Sequence, residues 1–260
     1  MNIVVLLKQV PDTTEIKINY ETGTLIRDGV KSIMNPDDKA GLEEAIKLKE
    51  KHGAHVIALT MGPPQADSML REALAMGADQ AVLVSDARFA GADTWATSET
   101  LAGALKKINF DLIIAGRQAI DGDTAQVGPQ TAEKLGIPHV TYVEKITSLT
   151  DKHIKLHRQF EEGYQEITVD LPCLITTLTE MNTPRYMSVP GIVDAYEQDI
   201  TIWNCDDLNV NMANIGLKGS PTKVKKTFTK EAESKADIFE GSAAEGAEII
   251  VDELAKRHML

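Results

Sequence analysis

Residues 3–7 (IVVLL) form an unbroken apolar run, the pattern of a strand buried on both faces of a parallel sheet. Asn35-Pro36 then predicts a helix start, with Asn as N-cap and Pro in the first turn. Leu42, Ala45 and Ile46 give that helix an apolar face, Lys49 edges it, and Lys51 and His52 stand at its negative end before a terminating Gly53. The unit then repeats. Residues 55–61 (HVIALTM) read as a strand, Gly62-Pro63-Pro64 as a turn, and Met69, Leu70, Ala73 and Leu74 as the apolar stripe of a helix closed by Gly77. Residues 81–85 are the next strand. Asp93 caps a helix lined by Leu101, Leu105 and Ile108, residues 111–115 (DLIIA) form a strand, and a helix runs from 124 to 135, stopped by Gly136 and Pro138. This alternation predicts an α/β protein with a doubly wound, mostly parallel, Rossmann-like sheet.

The pattern changes after about Val140. Residues 145–158 and 164–169 predict a β-hairpin around Glu161-Glu162-Gly163, and 174–178 another strand. From Met181 the chain reads as irregular. A basic stretch over 218–230, an acidic stretch and a helical pattern over 244–260 (Ile249, Ile250, Leu254) follow. The expected division is therefore 1–181 for the α/β domain with its hairpin, 182–199 for an irregular loop and 200–260 for a C-terminal arm ending in a helix. A polar arm with one amphipathic helix buries little apolar surface by itself. Either the helix folds back on its own domain or the arm embraces another subunit.

Composition narrows the function classes. Apolar residues are 43% of 260, as in a globular domain, and no apolar run approaches the roughly 20 residues that span a bilayer. The N-terminus lacks the basic region of a signal peptide. A formal net charge of −12 argues against a nucleic-acid partner without excluding a single bound nucleotide. Cys173 and Cys205 are the only cysteines, so no disulfide framework is expected, and a reducing cytoplasm is the simplest compartment.

The segment with most chemistry is GRQAIDGDTAQVG, residues 116–128. It follows a buried strand and precedes a helix, which puts it on the edge of the sheet where α/β proteins bind ligands. Asp123 as N-cap and Gln126 three residues on approximate a capping box. The N–H groups of Thr124, Ala125, Gln126 and Val127, with the helix dipole, would seat a phosphate. Gly116, Gly122 and Gly128 allow close backbone approach. The competing reading is an ordinary strand–helix loop, because Asp121 and Asp123 repel a phosphate unless they face sugar hydroxyls or amides. GxGxxG and GxxxxGK[ST] are absent, so neither a standard dinucleotide turn nor a P-loop is supported. Loops 35–38 and 60–63 leave the sheet on the same edge. Catalytic and metal constellations are not expected. There is no GxSxG, and Ser220 and Lys223 match an SxxK spacing by chance in a polar segment. His153 and His157, four apart on a strand, stand about 13 Å from each other, too far for one ion. Cys173, beside Pro172, reads as a packed thiol. Arg185, Tyr186, Met187, Val189 and Ile192 are either a loop tucked onto the body or anchors for another protein.

These residues converge on a family. KQVPD, DGVKSIMNPDDKAGLEEAIKLKE, TMGPPQADSMLREALAMGAD, RQAIDGDTAQVGPQTAEKLGIPHVTYV and LPCLITTLTEMNTPRYMSVPGI together resemble the β subunit of electron-transfer flavoproteins over essentially the whole chain. The resemblance implies a heterodimer with a flavin-bearing α subunit, the C-terminal arm packing on it. It also implies an adenine nucleotide against Leu6, Asn35, Pro36, Asp37, Asp38, Met61, Gly116, Arg117, Gln118, Ala119, Ile120, Asp121, Gly122, Asp123, Thr124, Ala125, Gln126 and Val127. Asp121-Gly122-Asp123 stands where mitochondrial-type members have three acidic residues, and the DGDTAQVG string resembles the electron-bifurcating group. That group implies FAD in this site, NADH as donor, and an acyl-CoA dehydrogenase and ferredoxin or flavodoxin as acceptors; the mitochondrial-type alternative is a structural AMP. Val189 falls in the family's recognition loop. The basic cluster that follows this loop in mitochondrial-type members is here Asp194-Ala195-Tyr196-Glu197-Gln198-Asp199, which implies a different dehydrogenase partner.

Overall fold

The structure, a computed structural model, describes residues 1–12, 17–18, 25–26, 31–222 and 238–260. These fall into two compact units, Met1–Val224 and Lys225–Leu260.

The first unit is built on a nine-stranded sheet. In chain order the elements are β1 (Asn2–Leu6), β2 (Gln9–Pro11), β3 (Lys17–Ile18), β4 (Leu25–Ile26), β5 (Ser32–Met34), α1 (Pro36–His52), β6 (His55–Met61), α2 (Asp67–Met76), β7 (Gln80–Val84), α3 (Thr94–Leu105) and β8 (Leu112–Gly116). They continue with α4 (Val127–Leu135), β9 (His139–Leu149), β10 (His153–Phe160), β11 (Gly163–Asp170), β12 (Cys173–Thr177), α5 (Val189–Glu197), β13 (Thr201–Trp203) and the short α6 (Gly216–Gly219). The sheet order is β11-β10-β9-β12-β8-β1-β6-β7-β13, parallel from β9 to β13 and antiparallel from β9 through β11. β2–β5 and β3–β4 are separate antiparallel pairs. Helices α1 and α2 cover one face with Leu42, Ile46, Met69 and Leu70; α3 and α4 cover the other with Leu101, Leu105 and Ala132. Ile3, Val4 and Val5 are fully buried between the two layers, as their unbroken apolar run requires.

Several predicted boundaries move. Strands 81–85, 111–115 and 174–178 each shift by one residue, and α3 ends at Leu105, with Ile108 packing just beyond it. The helix expected from 124 begins instead at Val127. Pro129 explains this. A start at 124 would place it inside the helix, where it lacks an N–H and its ring clashes with the preceding turn; a start at Val127 puts it in the first turn. The expected hairpin is a three-stranded meander, because Thr150 and His153 close a turn over Asp151-Lys152 that splits the 145–158 run. The 182–199 stretch is only partly irregular. Ser188 caps α5 by accepting from Gly191 N, and Pro190 lies in its first turn. Helix α5 packs on α2, and β13 pairs with β7 at the sheet edge.

In the second unit, α7 (Ala243–Lys256) realises the expected C-terminal helix, opened by a Ser242–Glu245 capping box. Ile249, Ile250 and Val251 are exposed, and the helix buries no residue. The basic stretch from 223 and the acidic stretch to 237, Lys223 included, lie outside the described residues.

Candidate functional site

β1 lies between β6 and β8, with Leu6 beside Leu59 on one side and Ala115 on the other. The chain winds from β1 toward β6 and β7, then returns to lay β8 on β1's other side. The C-terminal ends of β1 and β8 therefore flank the crevice where strand order reverses, the usual ligand position of an open α/β sheet.

The start of α1 forms a clasp across this crevice. Asp38, almost fully buried, accepts from Lys8 N (2.7 Å) through one carboxylate oxygen and from Gly116 N (3.0 Å) and Asn35 Nδ2 (3.0 Å) through the other. The approach is so close that a Cβ on Gly116 would stand 2.1 Å from that oxygen. Burial pushes the Asp38 carboxyl up to about 7, against the downward pull of these three N–H donors. Asn35 does not cap α1 with its side chain, contrary to expectation. It reaches instead across the crevice, donating to Gln118 O (2.8 Å) and accepting from Ile120 N (3.1 Å). The neighbouring Asp37 accepts from Thr179 N and Thr179 Oγ1 at 3.0 and 2.5 Å, and its other oxygen lies 3.4 Å from Arg117 Nε. The Arg117 guanidinium rests over the Tyr142 ring.

Beyond this clasp the loop turns back on itself. Gly122 N and Asp123 N both donate to Ala119 O, and the αL conformation falls on Asp123 (φ 48°) and Ala125 (φ 52°) rather than on a glycine. The expected Asp123–Gln126 capping box is not formed. With α4 starting at Val127, Gln126 occupies the N-cap position and makes no side-chain cap. The first-turn amides of the helix are therefore those of Val127 and Gly128, and Gln126 caps neither with its side chain. The two aspartates are answered inside the chain: Lys8 Nζ pairs with Asp121 at 2.6 Å, and Gln118 Nε2 donates to Asp123 Oδ1 at 3.0 Å. Gly122 is exposed, has no positive φ, and a Cβ there would meet nothing within 4 Å.

The structure therefore brings Asn35–Asp38 together with the 116–127 loop, while Leu6 and Met61 end the adjacent strands β1 and β6. Sequence reasoning missed Lys8, Thr179 and Tyr142 as parts of this arrangement. Lys8, a lone cation just past an apolar strand, was the one with a visible signal. Elsewhere, His157 stacks on Tyr164 (3.9 Å between centroids), and no group of three metal-ligating side chains occurs among the described residues. Cys173 is buried and its thiol is pushed up to about 12 by desolvation, in keeping with a packed role. Ser220 Oγ donates to Gly216 O and accepts from Asp93 N, so it serves the local fold. No helix among the described residues is long and apolar enough to cross a membrane. Tyr186, Met187, Val189 and Ile192 stand exposed, whereas Arg185 turns inward onto Glu43 and Glu50.

The family model described as the electron transfer flavoprotein domain matches residues 22–208. The chain is 54% identical to the electron transfer flavoprotein subunit beta of Clostridium acetobutylicum over 260 residues, covering 100% of both chains. It is 54% identical over 263 residues to the caffeyl-CoA reductase–Etf complex subunit CarD of Acetobacterium woodii, and 45% identical over 269 residues to the acryloyl-CoA reductase electron transfer subunit gamma of Anaerotignum propionicum, again with 100% of each chain covered.

Proposed function

The chain belongs to the electron transfer flavoprotein family as a β subunit, and from that premise we propose that it holds FAD in the crevice between loops 35–38 and 116–127 and works in a heterodimer with an α subunit. In this reading the heterodimer takes electrons from NADH and divides them between an acyl-CoA dehydrogenase and a ferredoxin or flavodoxin. The observation that carries the nucleotide assignment is the side-chain-uncapped start of α4, set where strand order reverses, with Asp121 and Asp123 already engaged by Lys8 and Gln118. Val127 and Gly128 amides would take a phosphate there. Leu6, Met61 and the Asn35–Asp38 turn would border the remainder of the nucleotide, and Arg117, braced by Asp37 and Tyr142, adds a cation at the rim. A bound flavin supplies the redox chemistry. The residues of this chain hold and orient it, and none acts as an acid or base.

Tyr186, Met187, Val189 and Ile192 form the docking surface for the dehydrogenase, with Arg185 beside them. Similarity to a caffeyl-CoA reductase–Etf complex subunit and to an acryloyl-CoA reductase electron transfer subunit supports a partner acting on acyl-CoA thioesters. The C-terminal arm packs on the α subunit through the exposed apolar residues of α7. Two buried, unpaired cysteines support a cytoplasmic location.

A second reading is structural AMP in a carrier without bifurcation. Gly122 stands in open space with an ordinary backbone, so the chain itself does not require glycine there and the choice between the two rests on the ligand. The nucleotide content of the purified heterodimer separates the two. Two FAD per αβ pair, with flavin absorbance bleached by NADH, supports bifurcation; one FAD and one AMP overturns it.

A further inference from the structure

The segment that carries the exposed docking residues is held at its two ends by arginines that the docking reading does not explain. Arg185 Nε and Nη2 contact Glu43 at 2.9 and 3.1 Å, Nη1 and Nη2 contact Glu50 at 2.5 and 3.0 Å, and Arg185 N donates to Glu43 at 3.1 Å. Glu43 is only 3% exposed, so this guanidinium answers a carboxylate that would otherwise be buried alone, and planar two-oxygen contacts fix its orientation. Arg71, on α2, takes hold of the other end. Its Nη1 donates to Ala195 O (2.7 Å) and Gln198 O (3.4 Å), Asp67 steadies its Nε, and its guanidinium lies 5.0 Å from the Tyr196 ring centre. Between the two anchors α5 sits hard against α2: a Cβ on Gly191 would lie 2.6 Å from Ala75 O. Tyr186 (98% exposed), Met187, Val189, Ile192, Val193 and Tyr196 nonetheless face outward.

Resting on the docking reading above, we propose that Arg185 is a positioning residue. By bridging Glu43 and Glu50 of α1 it holds residues 186–196 as a preformed apolar ridge for the dehydrogenase, rather than touching that partner itself. A ridge already ordered in the free protein loses less conformational freedom on docking, so the latch acts on encounter affinity and leaves electron transfer within the docked complex unchanged.

The test uses the intact αβ heterodimer with Glu43→Gln and the more conservative Glu50→Gln, whose side chain is over half exposed. Backbone amide exchange over 186–198 is expected to speed up in both. In the assay with the cognate dehydrogenase, KM for the heterodimer should rise about tenfold in Glu43→Gln with kcat within about twofold, and reduction by NADH should be unchanged. Wild-type exchange in both variants, or faster exchange with an unaltered KM, overturns the proposal. Val189→Ala is the control. If it leaves KM unchanged, the docking reading itself fails and the latch's part in docking falls with it; if it raises KM while the glutamate variants do not, only the positioning role is lost.

Discussion

At the scale of single residues, two glycines of one loop have opposite standing. Gly116 lies against Asp38, and any Cβ there would overlap the carboxylate and the Asp38 amide at 2.8 Å. Gly116→Ala should therefore lose about 2–3 kcal/mol, read from thermal melting of the nucleotide-free protein. Gly122→Asp, with nothing within 4 Å, should melt within about 0.5 kcal/mol of wild type. If FAD is the occupant, the same variant should emerge with reduced FAD content, because any demand for glycine there comes from the ligand or the partner subunit. Asp38 carries a pH signature. Its carboxyl, ordinarily near 3.8, is pushed up to about 7 by burial, so between those values the folded state holds a proton that the unfolded state has released. The sign follows: stability from this group is fully present below the lower value, declines as pH rises through the window by up to about 4 kcal/mol, and is flat above about 7. Melting temperature against pH from 5 to 8 should show the decline in wild type, and Asp38→Asn should lack that component.

At the scale of elements, what could be read from the sequence was what local periodicity and punctuation encode. The alternation from β1 to α4, the Asp93 cap and the Gly53, Gly77 and Gly136 stops all stand. The start of α4 was misread because Asp123 and Gln126 imitate a capping pair, whereas Pro129 decides the register. Helix α5 had its signal in Ser188 and Pro190, which the apolar anchors around them obscured. The clasp itself was not legible. Asn35 looked like a cap, and its partners Gln118 and Ile120 lie more than 80 positions away along the chain. For Arg185 the sequence left a tucked loop and an interface anchor both open, since its partners Glu43 and Glu50 precede it by 142 and 135 positions. The loop that precedes the start of α4 at Val127 has a measurable consequence. Asp123 and Ala125 occupy αL backbone that ordinary L-residues adopt at a penalty of about 1–2 kcal/mol. Ala125→Gly should change stability by about 0–1 kcal/mol in the favourable direction, relief of strain being partly offset by a more flexible unfolded chain. Ala125→Val should be destabilising by about 1–2 kcal/mol, since a β-branched side chain tolerates αL worst. Chemical denaturation of the two variants orders them.

At the scale of the molecule, the formal charge of −12 finds a local counterpart beside the exposed apolar ridge of residues 186–196. Asp194, Glu197 and Asp199 are all exposed on or just after α5, among Val189, Val193 and Tyr196. The ridge is thus apolar at its centre and acidic at its margin. On the docking reading proposed above, the partner carries an apolar recess with a basic rim, the opposite of what a lysine-flanked loop would select. Opposite fields accelerate encounter and are screened by salt, whereas apolar contact at the centre is not. Raising NaCl from about 50 to 500 mM should slow the second-order reaction between heterodimer and dehydrogenase by about tenfold and leave kcat at saturation unmoved. Asp194→Asn combined with Glu197→Gln should flatten that salt dependence without altering the response to Val189→Ala. A rate that rises with salt would mean the partner's rim is acidic and that the ridge docks against its own electrostatics. A rate indifferent to salt would leave the apolar centre as the whole of the recognition.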